Sequence, residues 1–469
     1  MNLSFNFIKY KRNLPKQRNI KTRINDFEDY NNYWSQKDLK EQSSRCMGCG
    51  VPFCHQACPL GNFIPDWNNL VSKSNWENAL KSLHLTNNFP DFTGRICPAP
   101  CEASCVLNIN NDPVAIEQIE KEISEKGWGN GWITPEIPVN RTGKKIAVIG
   151  SGPTGLTAAQ QLNRLGHFVT VFEKDPKIGG LLRFGIPDFK LDKFILERRV
   201  DQITKEGVEF IVNAHVGVNI NLDDLIKDYD VLLLACGARH PRDLDIPGRD
   251  LDGIHFAMEY LTHQNIINDS ELDLNQKQIS ANAKQVVIIG GGDTGSDCLG
   301  TAHRQKVKSV FQLELLPKPP KQRTEDNPWP QWPKVFVNSS SQDEGGIRKF
   351  SILTKNFIGK NGKVSGLNTV KVNLDNGVFK EIADTEKIIP ADLVILAMGF
   401  DKPDLGDVVK LLDLKLSQND HVKTNSNGLT NIDKIFAAGD MVIGQSIVVS
   451  AIAEGRKVAE SINDYLSNH

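Results

Sequence analysis

The sequence contains no long hydrophobic run and almost no excess charge of either sign. One of its longest apolar stretches, VLLLACGA from Val231, is far shorter than the roughly 20 residues that a membrane-spanning helix needs. The net charge of −2 provides no overall field that would attract nucleic acid or an anionic membrane. We therefore expect this protein to bind neither nucleic acid nor a membrane.

Cysteine is scarce over most of the chain. Of nine cysteines in 469 residues, seven lie between Cys46 and Cys105, while Cys236 and Cys298 stand alone. An odd number of clustered cysteines in a large chain argues against a secreted disulfide framework, and the first ten residues show no signal-peptide pattern. We therefore expect a reducing, cytoplasmic compartment, and the clustered cysteines need another common function.

The first 25 residues contain basic side chains and no acidic ones. Aromatic and apolar residues such as Phe7 and Ile8 are interleaved with this charge. This pattern favours an arm that lies on the surface of a partner, with a targeting peptide or a nucleic-acid-binding arm as alternatives.

Two segments predict a strand, a glycine turn, a helix and a second strand in the length of one βαβ unit. They span Lys144–Lys174 and Lys284–Leu316. The preceding region, residues 26–140, is rich in Asn, Trp and Pro and predicts short helices and loops, ending in a loop with several Gly and Pro residues. The chain is therefore predicted to be an α/β protein with a mostly helical N-terminal domain and two Rossmann-like dinucleotide-binding domains.

The first glycine motif is GSGPTG from Gly150. Gly150 permits the tight turn, Gly152 lets the backbone approach a pyrophosphate, and Gly155 lets the helix pack on the strand. The N-terminus of that helix then faces the phosphates. Glu173 ends the next strand, where an acid binds a ribose diol. The alternative is a tight turn in an unrelated α/β fold.

Two further segments indicate a flavin. A Gly-Gly pair in IGGLLRFGIPDFK can run under a planar ring, and a helix predicted from about Ser446 follows an acid, Asp440. The pattern resembles the flavoprotein reductases with two dinucleotide domains, in which the C-terminal segment completes the FAD domain. The resemblance implies that FAD is bound at these residues: Gly150, Gly152, Pro153, Gly155, Glu173, Gly180, Leu181, Gly237, Gly439, Asp440 and Ser446.

The second glycine motif, GGGDTG from Gly290, then holds the nicotinamide nucleotide. The residues assigned to it are Gly290, Gly292, Asp293, Thr294, Gly295 and Arg304. Glu314, near the end of the next strand, favours the unphosphorylated ribose of NADH. The cations Arg304, Lys306 and Lys308 favour the 2′-phosphate of NADPH. We expect NADPH, with NADH as the alternative.

The clustered cysteines follow the spacing C-x2-C-x4-C-x3-C-P and then CPAPCEASC. Zinc usually takes two CxxC pairs, or Cys together with His, and only one CxxC is present. In two-cluster iron–sulfur proteins, the cysteine before proline serves the other cluster. The spacing therefore predicts three ligands of one 4Fe–4S cluster and the first ligand of a second: Cys46, Cys49 and Cys54, then Cys58.

Two such clusters need eight ligands, so seven cysteines leave one position open. A carboxylate can fill this position, and three are near in the sequence: Glu102, Glu117 and Glu120. The more distant cysteines recur every four residues, so that they would share one face if the segment were helical: Cys97, Cys101 and Cys105. Zinc with spare thiols remains the alternative on spacing alone.

Several segments occur in order over nearly the whole chain: SRCMGCGVPFCHQACPLGNFIPDWN, GRICPAPCEASC, GSGPTGL, GGLLRFGIPDFKLDK, GGGDTGSDCLGTAHRQ, LLPKPPKQRTEDNPWPQWPKVF and FAAGDMVIGQSIVVSAIAEGR. Together they resemble the small (beta) subunit of bacterial glutamate synthase. The first motifs are also similar to those of dihydropyrimidine dehydrogenase and ferredoxin:NADP oxidoreductases.

The resemblance implies a complete ligand set and four chain segments. One cluster takes Cys46, Cys49, Cys54 and Cys105, and the second takes Cys58, Cys97, Cys101 and Glu120, with Glu117 as the alternative carboxylate. The segments are a helical iron–sulfur domain at 1–140, an FAD domain at 141–247 and 400–469, and an NAD(P)H domain at 248–399.

The same resemblance implies an electron-input subunit of a hetero-oligomer. NAD(P)H would reduce FAD, and the two clusters would relay electrons to a large (alpha) subunit that carries FMN and makes glutamate from 2-oxoglutarate and glutamine. Hydride and electron transfer belong to the cofactors, so no protein acid or base is assigned. The alternatives are a ferredoxin:NAD(P)H oxidoreductase subunit with a different partner, and a zinc-stapled nucleotide-binding module without redox activity.

Overall fold

The computed structural model describes residues 6–272, 277–403 and 407–468. The N-terminal part is built from short helices around a core that includes Trp67 and Leu83, both fully buried. Its helices are α1 Asn6–Lys9, α2 Ile20–Arg23, α3 Gln36–Ser43, α4 Phe53–Ala57, α5 Ile64–Ser72, α6 Trp76–His84, α7 Pro90–Ile96, α8 Pro100–Ala103 and α9 Ile116–Gly129. A 3₁₀ turn, Val106–Ile109, lies between α8 and α9.

A five-stranded parallel sheet follows, in the order β16-β4-β1-β2-β3. Its elements are β1 Lys145–Ile149, α10 Pro153–Arg164, β2 Phe168–Phe172, α11 Leu181–Phe184, α12 Lys193–Glu206, β3 Glu209–Ile211, α13 Leu222–Asp228 and β4 Val231–Leu234, joined near the C-terminus by β16 Ile435–Ala437, α18 Asp440–Ile443 and α19 Val448–Asn468. The apolar strands are buried on both faces, as a parallel sheet between helices requires. Since β16 pairs with β4, the C-terminal segment completes the first sheet, as predicted.

The second parallel sheet has the order β6-β14-β7-β8-β9. Its elements are β6 Ile254–Phe256, α14 Ala257–Asn268, β7 Gln285–Ile289, α15 Asp293–Arg304, β8 Ser309–Leu313, α16 Ser340–Asp343, β9 Ile347–Lys349 and β14 Leu393–Leu396. An antiparallel sheet packs beside it: β10 Ile352–Lys360, β11 Lys363–Asp375, β12 Val378–Glu381 and β13 Lys387–Pro390. The chain passes between the two parallel sheets through the paired strands β5 His240–Pro241 and β15 Phe400–Lys402, and α17 Asp407–Leu411 follows.

The basic N-terminal arm packs on its own chain from residue 6 onward, and its predicted contact with a partner stays a prediction. Arg12 donates hydrogen bonds to the carbonyl oxygens of Pro113 and Val114. Arg23 is 1% exposed and pairs with Glu344 at 2.7 Å. The arm's guanidinium groups therefore find acceptors within the same chain. Residues 1–5 of the arm lie outside the described residues.

A search of the described helices finds none that is both long enough and apolar enough to cross a bilayer.

Candidate functional site

The first glycine turn is shaped by contact with the neighbouring strands. Gly150 has φ +105°, and a Cβ there would lie 2.5 Å from the carbonyl oxygen of Ala235, so no larger residue fits. Its N–H donates to Phe172 at 2.8 Å. Gly152 then caps α10, with Pro153 at the first helical position, and no atom lies within 4 Å of the Cβ position at Gly152. The turn thus leaves the N-terminus of α10 open to an anion.

Glu173 directly follows β2 and forms hydrogen bonds with this turn. Its Oε2 accepts hydrogen bonds from the backbone N–H of Ser151 at 2.9 Å and from its hydroxyl at 2.5 Å. Its Oε1 accepts from the Asp175 N–H at 2.9 Å. The carboxylate is therefore fixed beside the glycine turn, at the position where a ribose diol binds in dinucleotide sites.

One large cavity brings most of the predicted FAD residues together. Its lining includes Gly150, Gly152, Pro153, Glu173, Gly180, Leu181, Gly237, Asp440 and Ser446. The other two predicted residues pack behind it. A Cβ on Gly155 would lie 2.0 Å from the Gly150 oxygen, and one on Gly439 would lie 2.4 Å from the Thr154 hydroxyl.

Asp440 lines this cavity from the C-terminal segment of the chain. The Ser446 hydroxyl donates to its carboxylate at 2.6 Å, and burial raises the pKa of Asp440 while this hydrogen bond opposes the rise. The helix predicted from about Ser446 begins instead at Val448. Ser446 therefore lies in the preceding loop, free to bind Asp440.

Ile96 of the helical domain also lines this cavity, and sequence reasoning did not assign it. It ends α7, and Cys97 follows directly. The only signal in the sequence was its position before a predicted cluster ligand. The cavity and the cysteine-rich region are thus adjacent at this residue.

The second glycine turn repeats the first. Gly290 has φ +129°, and a Cβ there would lie 2.1 Å from the carbonyl oxygen of Ala397. Gly292 caps α15, which begins at Asp293 and continues through Thr294. A Cβ on Gly295 would lie 2.4 Å from the Gly290 oxygen, so the helix packs closely on the turn. Five of the six predicted residues therefore form one turn and helix start, a geometry that suits a phosphate.

Arg304 does not belong to this group, and its assignment is wrong. It ends α15, twelve residues long, at the end opposite the glycine turn. Its side chain is 0% exposed, pairs with Glu344 at 2.7 Å and lies 3.7 Å from the Phe189 ring centroid. Lys306 also faces away, since its Nζ donates to the Ile24 carbonyl oxygen at 2.8 Å.

Four cysteines line one small apolar cavity in the helical domain: Cys46, Cys49, Cys54 and Cys105. This is the set that the family resemblance implies for the first cluster. Burial raises the pKa of the Cys46 thiol to about 11 and that of Cys54 to about 12. Metal binding must therefore release protons from these thiols.

The second predicted set lies around Glu120. Burial raises the pKa of Cys97 and Cys101, and the nearby charges of Glu120 and Cys58 raise both further. These cysteines do not share one helix as predicted, because α7 ends at Ile96 and α8 spans only Pro100–Ala103. Ala99, between two prolines, has φ +57° and breaks the helix.

Among the three candidate carboxylates, Glu120 is one whose charge, in addition to burial, raises the pKa of all three cysteines of this set, Cys58, Cys97 and Cys101. It is 6% exposed, and burial raises its pKa to about 7. Its Oε1 accepts from Asn87 at 2.8 Å and from Thr93 at 2.6 Å. Glu102 is already engaged by Arg12 at 2.6 Å, which leaves Glu117 as the alternative.

No group of three or more His, Cys, Asp or Glu side chains is arranged to hold a single metal ion, as far as the chain is described.

A loop of the second α/β domain closes over the first cysteine set. Trp329 lies 4.6 Å from Phe53, measured between ring centroids. The Ser104 hydroxyl donates to the carbonyl oxygen of Pro330 at 2.9 Å, and Arg323 donates to that of Ala103 at 3.3 Å. Asn327, 2% exposed, links residues of the loop through hydrogen bonds of its side chain. The loop has no regular secondary structure, which agrees with its high Pro and Trp content.

Comparisons with known proteins agree with this architecture. The family described as "Pyridine nucleotide-disulphide oxidoreductase" matches residues 121–227 and 144–455. The family described as dihydropyrimidine dehydrogenase domain II, 4Fe-4S cluster, matches residues 23–132. The chain therefore carries an iron–sulfur domain followed by a flavin- and nicotinamide-dependent oxidoreductase domain, and its cofactors are FAD, NAD(P)H and 4Fe–4S clusters.

The "Glutamate synthase [NADPH] small chain" of Mycobacterium tuberculosis is 48% identical over 464 residues, covering 98% of this chain and 95% of that protein. The "Glutamate synthase [NADH]" of Schizosaccharomyces pombe is 47% identical over 476 residues, covering 97% of this chain and 22% of that protein. Among solved structures, Mycobacterium tuberculosis FprA in complex with NADPH has a TM-score of 0.56 at 18% identity, covering 70% of this chain and 85% of that chain. FprA supports the fold alone, whereas the sequence identities show that this chain belongs to the glutamate synthase small-chain family.

Proposed function

We propose that this chain takes electrons from NAD(P)H at a bound FAD and passes them through two 4Fe–4S clusters to a large subunit that carries FMN. The observation that carries this proposal is the contact at Ile96, which lines the flavin cavity and immediately precedes Cys97. A flavin accepts two electrons as a hydride and releases them singly, and iron–sulfur clusters carry single electrons.

The first site is built to hold FAD at several points. The open N-terminus of α10 accepts the pyrophosphate, and Glu173 accepts hydrogen bonds from the adenosine ribose. Asp440, oriented by Ser446, binds the ribityl side. The remaining residues shape the cavity: Gly150, Gly152, Pro153, Gly155, Gly180, Leu181, Gly237 and Gly439.

The second site holds the nicotinamide dinucleotide through the turn at Gly290 and the start of α15. Gly292 leaves room for the pyrophosphate, since nothing lies within 4 Å of its Cβ position. Asp293 and Thr294 form the first turn of the helix, and Gly295 sets its close packing. Arg304 has no part in this site.

Each of the two cysteine sets is assigned to one 4Fe–4S cluster. The first set, Cys46, Cys49, Cys54 and Cys105, shares one cavity. The second set consists of Cys58, Cys97, Cys101 and Glu120, and Cys97 is the ligand that adjoins the flavin cavity. We therefore place the second set between the flavin and the first set in the electron path.

We propose the large subunit as the partner both from the sites that this chain contains and from the family to which it belongs. This chain offers two dinucleotide sites and a cysteine-rich domain, and we assign glutamine hydrolysis and imine reduction to the large subunit. The nine unpaired cysteines suit a reducing compartment, and we place the complex in the cytoplasm.

The test is anaerobic purification, followed by assays of iron, sulfide and flavin and of dye reduction by NADH and NADPH. We expect flavin and iron–sulfur absorbance together with coenzyme-dependent dye reduction. A colourless, inactive protein would contradict the redox proposal. Dye reduction that supports no glutamate formation with the large subunit would contradict the assigned partner and favour a different electron acceptor.

A further inference from the structure

The two dinucleotide sites are built to the same plan, and this similarity reaches beyond the glycine turns. In each sheet the first glycine donates its N–H to the last residue of the neighbouring strand. The distance is 2.8 Å from Gly150 to Phe172 and 2.8 Å from Gly290 to Leu313. Each of these strands is followed directly by a glutamate.

The two glutamates occupy matching positions. The N–H of Glu173 donates to Ile211 on the next strand at 2.9 Å, and the N–H of Glu314 donates to Lys349 at 2.8 Å. One oxygen of each carboxylate accepts from the backbone N–H two residues later. In Glu314 this is the bond from Leu316 to Oε1 at 3.0 Å.

The second oxygen of each carboxylate reaches the glycine turn. Glu173 accepts from Ser151, the residue between the first two glycines of its motif. Glu314 reaches the equivalent residue, Gly291, closely enough that a Cβ there would lie 2.1 Å from its Oε2. The nicotinamide site thus has an acid, Glu314, at the position that Glu173 occupies in the flavin site, where Glu173 is assigned to the ribose diol.

This repetition bears on which coenzyme the second site takes. The adenosine ribose of FAD has free 2′- and 3′-hydroxyls, and an acid in this position accepts their hydrogen bonds. NADH presents the same diol. NADPH presents a 2′-phosphate, which would place like charges together beside Glu314.

The three cations that the sequence offered for a 2′-phosphate lie away from Glu314. Arg304, Lys306 and Lys308 precede β8 and therefore lie at the end of this strand opposite Glu314. Arg304 and Lys306 also have partners there. Arg348 is closer, but its Nη1 already donates to Gln342 at 2.9 Å and to Asn338 at 3.2 Å. Its guanidinium also lies 5.0 Å from the ring centroid of Phe336.

We propose that Glu314 selects the coenzyme and that the second site prefers the unphosphorylated ribose of NADH over NADPH. This inference rests on the proposed function, because it assumes that the turn at Gly290 binds the nicotinamide coenzyme.

The test measures kcat/KM for NADH and NADPH in dye reduction by the holoenzyme. We expect wild type to favour NADH by about tenfold or more, the factor that corresponds to ~1.4 kcal/mol. Glu314→Gln should reduce the NADH/NADPH ratio on the order of tenfold, chiefly by lowering KM for NADPH. Glu381→Gln, an exposed acid on β12, is the matched control and should keep the wild-type ratio.

A second measurement needs no variant. ADP-ribose and its 2′-phosphate should compete with the coenzyme in wild type, and we expect the unphosphorylated compound to bind more tightly. A wild-type preference for NADPH, or a ratio that Arg348→Gln changes and Glu314→Gln does not, would overturn the assignment of Glu314. A protein that oxidises neither coenzyme would instead overturn the proposed function itself.

Discussion

The indole N–H of Trp329 donates a hydrogen bond to the backbone carbonyl of Cys105 at 3.3 Å. Trp329 belongs to the second α/β domain, whereas Cys105 belongs to the helical domain and lines the cavity of the first cysteine set. The same indole packs on Phe53, next to Cys54. One side chain therefore contacts Cys105 directly and packs on the residue that precedes Cys54, and both cysteines are assigned to the first cluster.

Replacing this side chain should expose the first cluster to oxidants. In Trp329→Ala we expect faster bleaching of the iron–sulfur absorbance in air with unchanged FAD content, because an aromatic contact worth about 0.5–1.5 kcal/mol and a hydrogen bond are lost. The measurement is the rate of absorbance loss after anaerobic purification. Trp332→Ala is the control, since Trp332 is 50% exposed in the same loop. Equal bleaching rates in the two variants would contradict a shielding role.

A buried ion pair joins the helical domain to the FAD domain. Asp91 of α7 pairs with Arg199 of α12 at 2.8 Å, and both side chains are at most 1% exposed. Trp128 and Ser124 also donate to Asp91, at 2.7 and 2.9 Å. Asp91→Ala should destabilise the protein by about 3–5 kcal/mol, since it leaves the buried guanidinium of Arg199 without its carboxylate partner. Urea unfolding measures this, with Glu77→Gln in an exposed helix pair as the control; a similar small loss in both variants would refute it.

The same pair makes stability depend on pH in the acid range. Burial acts to raise the pKa of Asp91, but the charge and hydrogen bonds of Arg199, with Arg198 and Trp128, lower it overall. A lowered carboxyl pKa contributes stability above the unfolded value of about 3.9, and this contribution is lost as pH falls towards the folded value. Wild type should therefore lose more stability than Asp91→Ala between pH 5 and the acid limit of folding. Parallel curves for the two proteins would contradict this.

The features that sequence could predict are those fixed by local rules or implied by the family resemblance. The glycine turns at Gly150 and Gly290 follow from strand and helix context, and the return of the C-terminal segment to the first sheet followed from the family resemblance. The distant cysteines would share one face only if helical, and they do not form one helix, because the segment between two prolines turns at Ala99, which has φ +57°. Arg304 was misplaced because its position at the end of α15 directs it away from the turn, into a pair with Glu344.

Contacts between segments far apart in the chain were not predictable in this way. Ile96 reaches the flavin cavity only because α7 packs against the FAD domain, and nothing in its own residue type indicates this. Likewise, Arg23 looks like a solvent-exposed basic residue in the sequence, yet it is buried against Glu344. Such burial depends on the tertiary arrangement rather than on local pattern.

Glu173 should control FAD retention. Glu173→Ala removes the acceptor for both donors of Ser151 and for the adenosine ribose, and each hydrogen bond to a charged group contributes about 1.5–3 kcal/mol. We expect FAD to dissociate during gel filtration, with affinity lower by roughly tenfold or more. Glu209→Gln on the exposed face of β3 should retain FAD as wild type does. Full flavin content in Glu173→Ala would exclude this role.

Glu120 should be needed for the second cluster and not for the first. Glu120→Ala removes the carboxylate next to Cys58 and Cys97, so we expect iron to fall from about eight to about four atoms per chain, the content of one 4Fe–4S cluster. Glu117→Ala, one helical turn away on α9, tests the alternative ligand and should keep the full iron content. Because Glu120 also anchors Asn87 and Thr93, thermal unfolding of both variants separates misfolding from ligand loss. If Glu117→Ala loses iron and Glu120→Ala does not, the eighth ligand is Glu117.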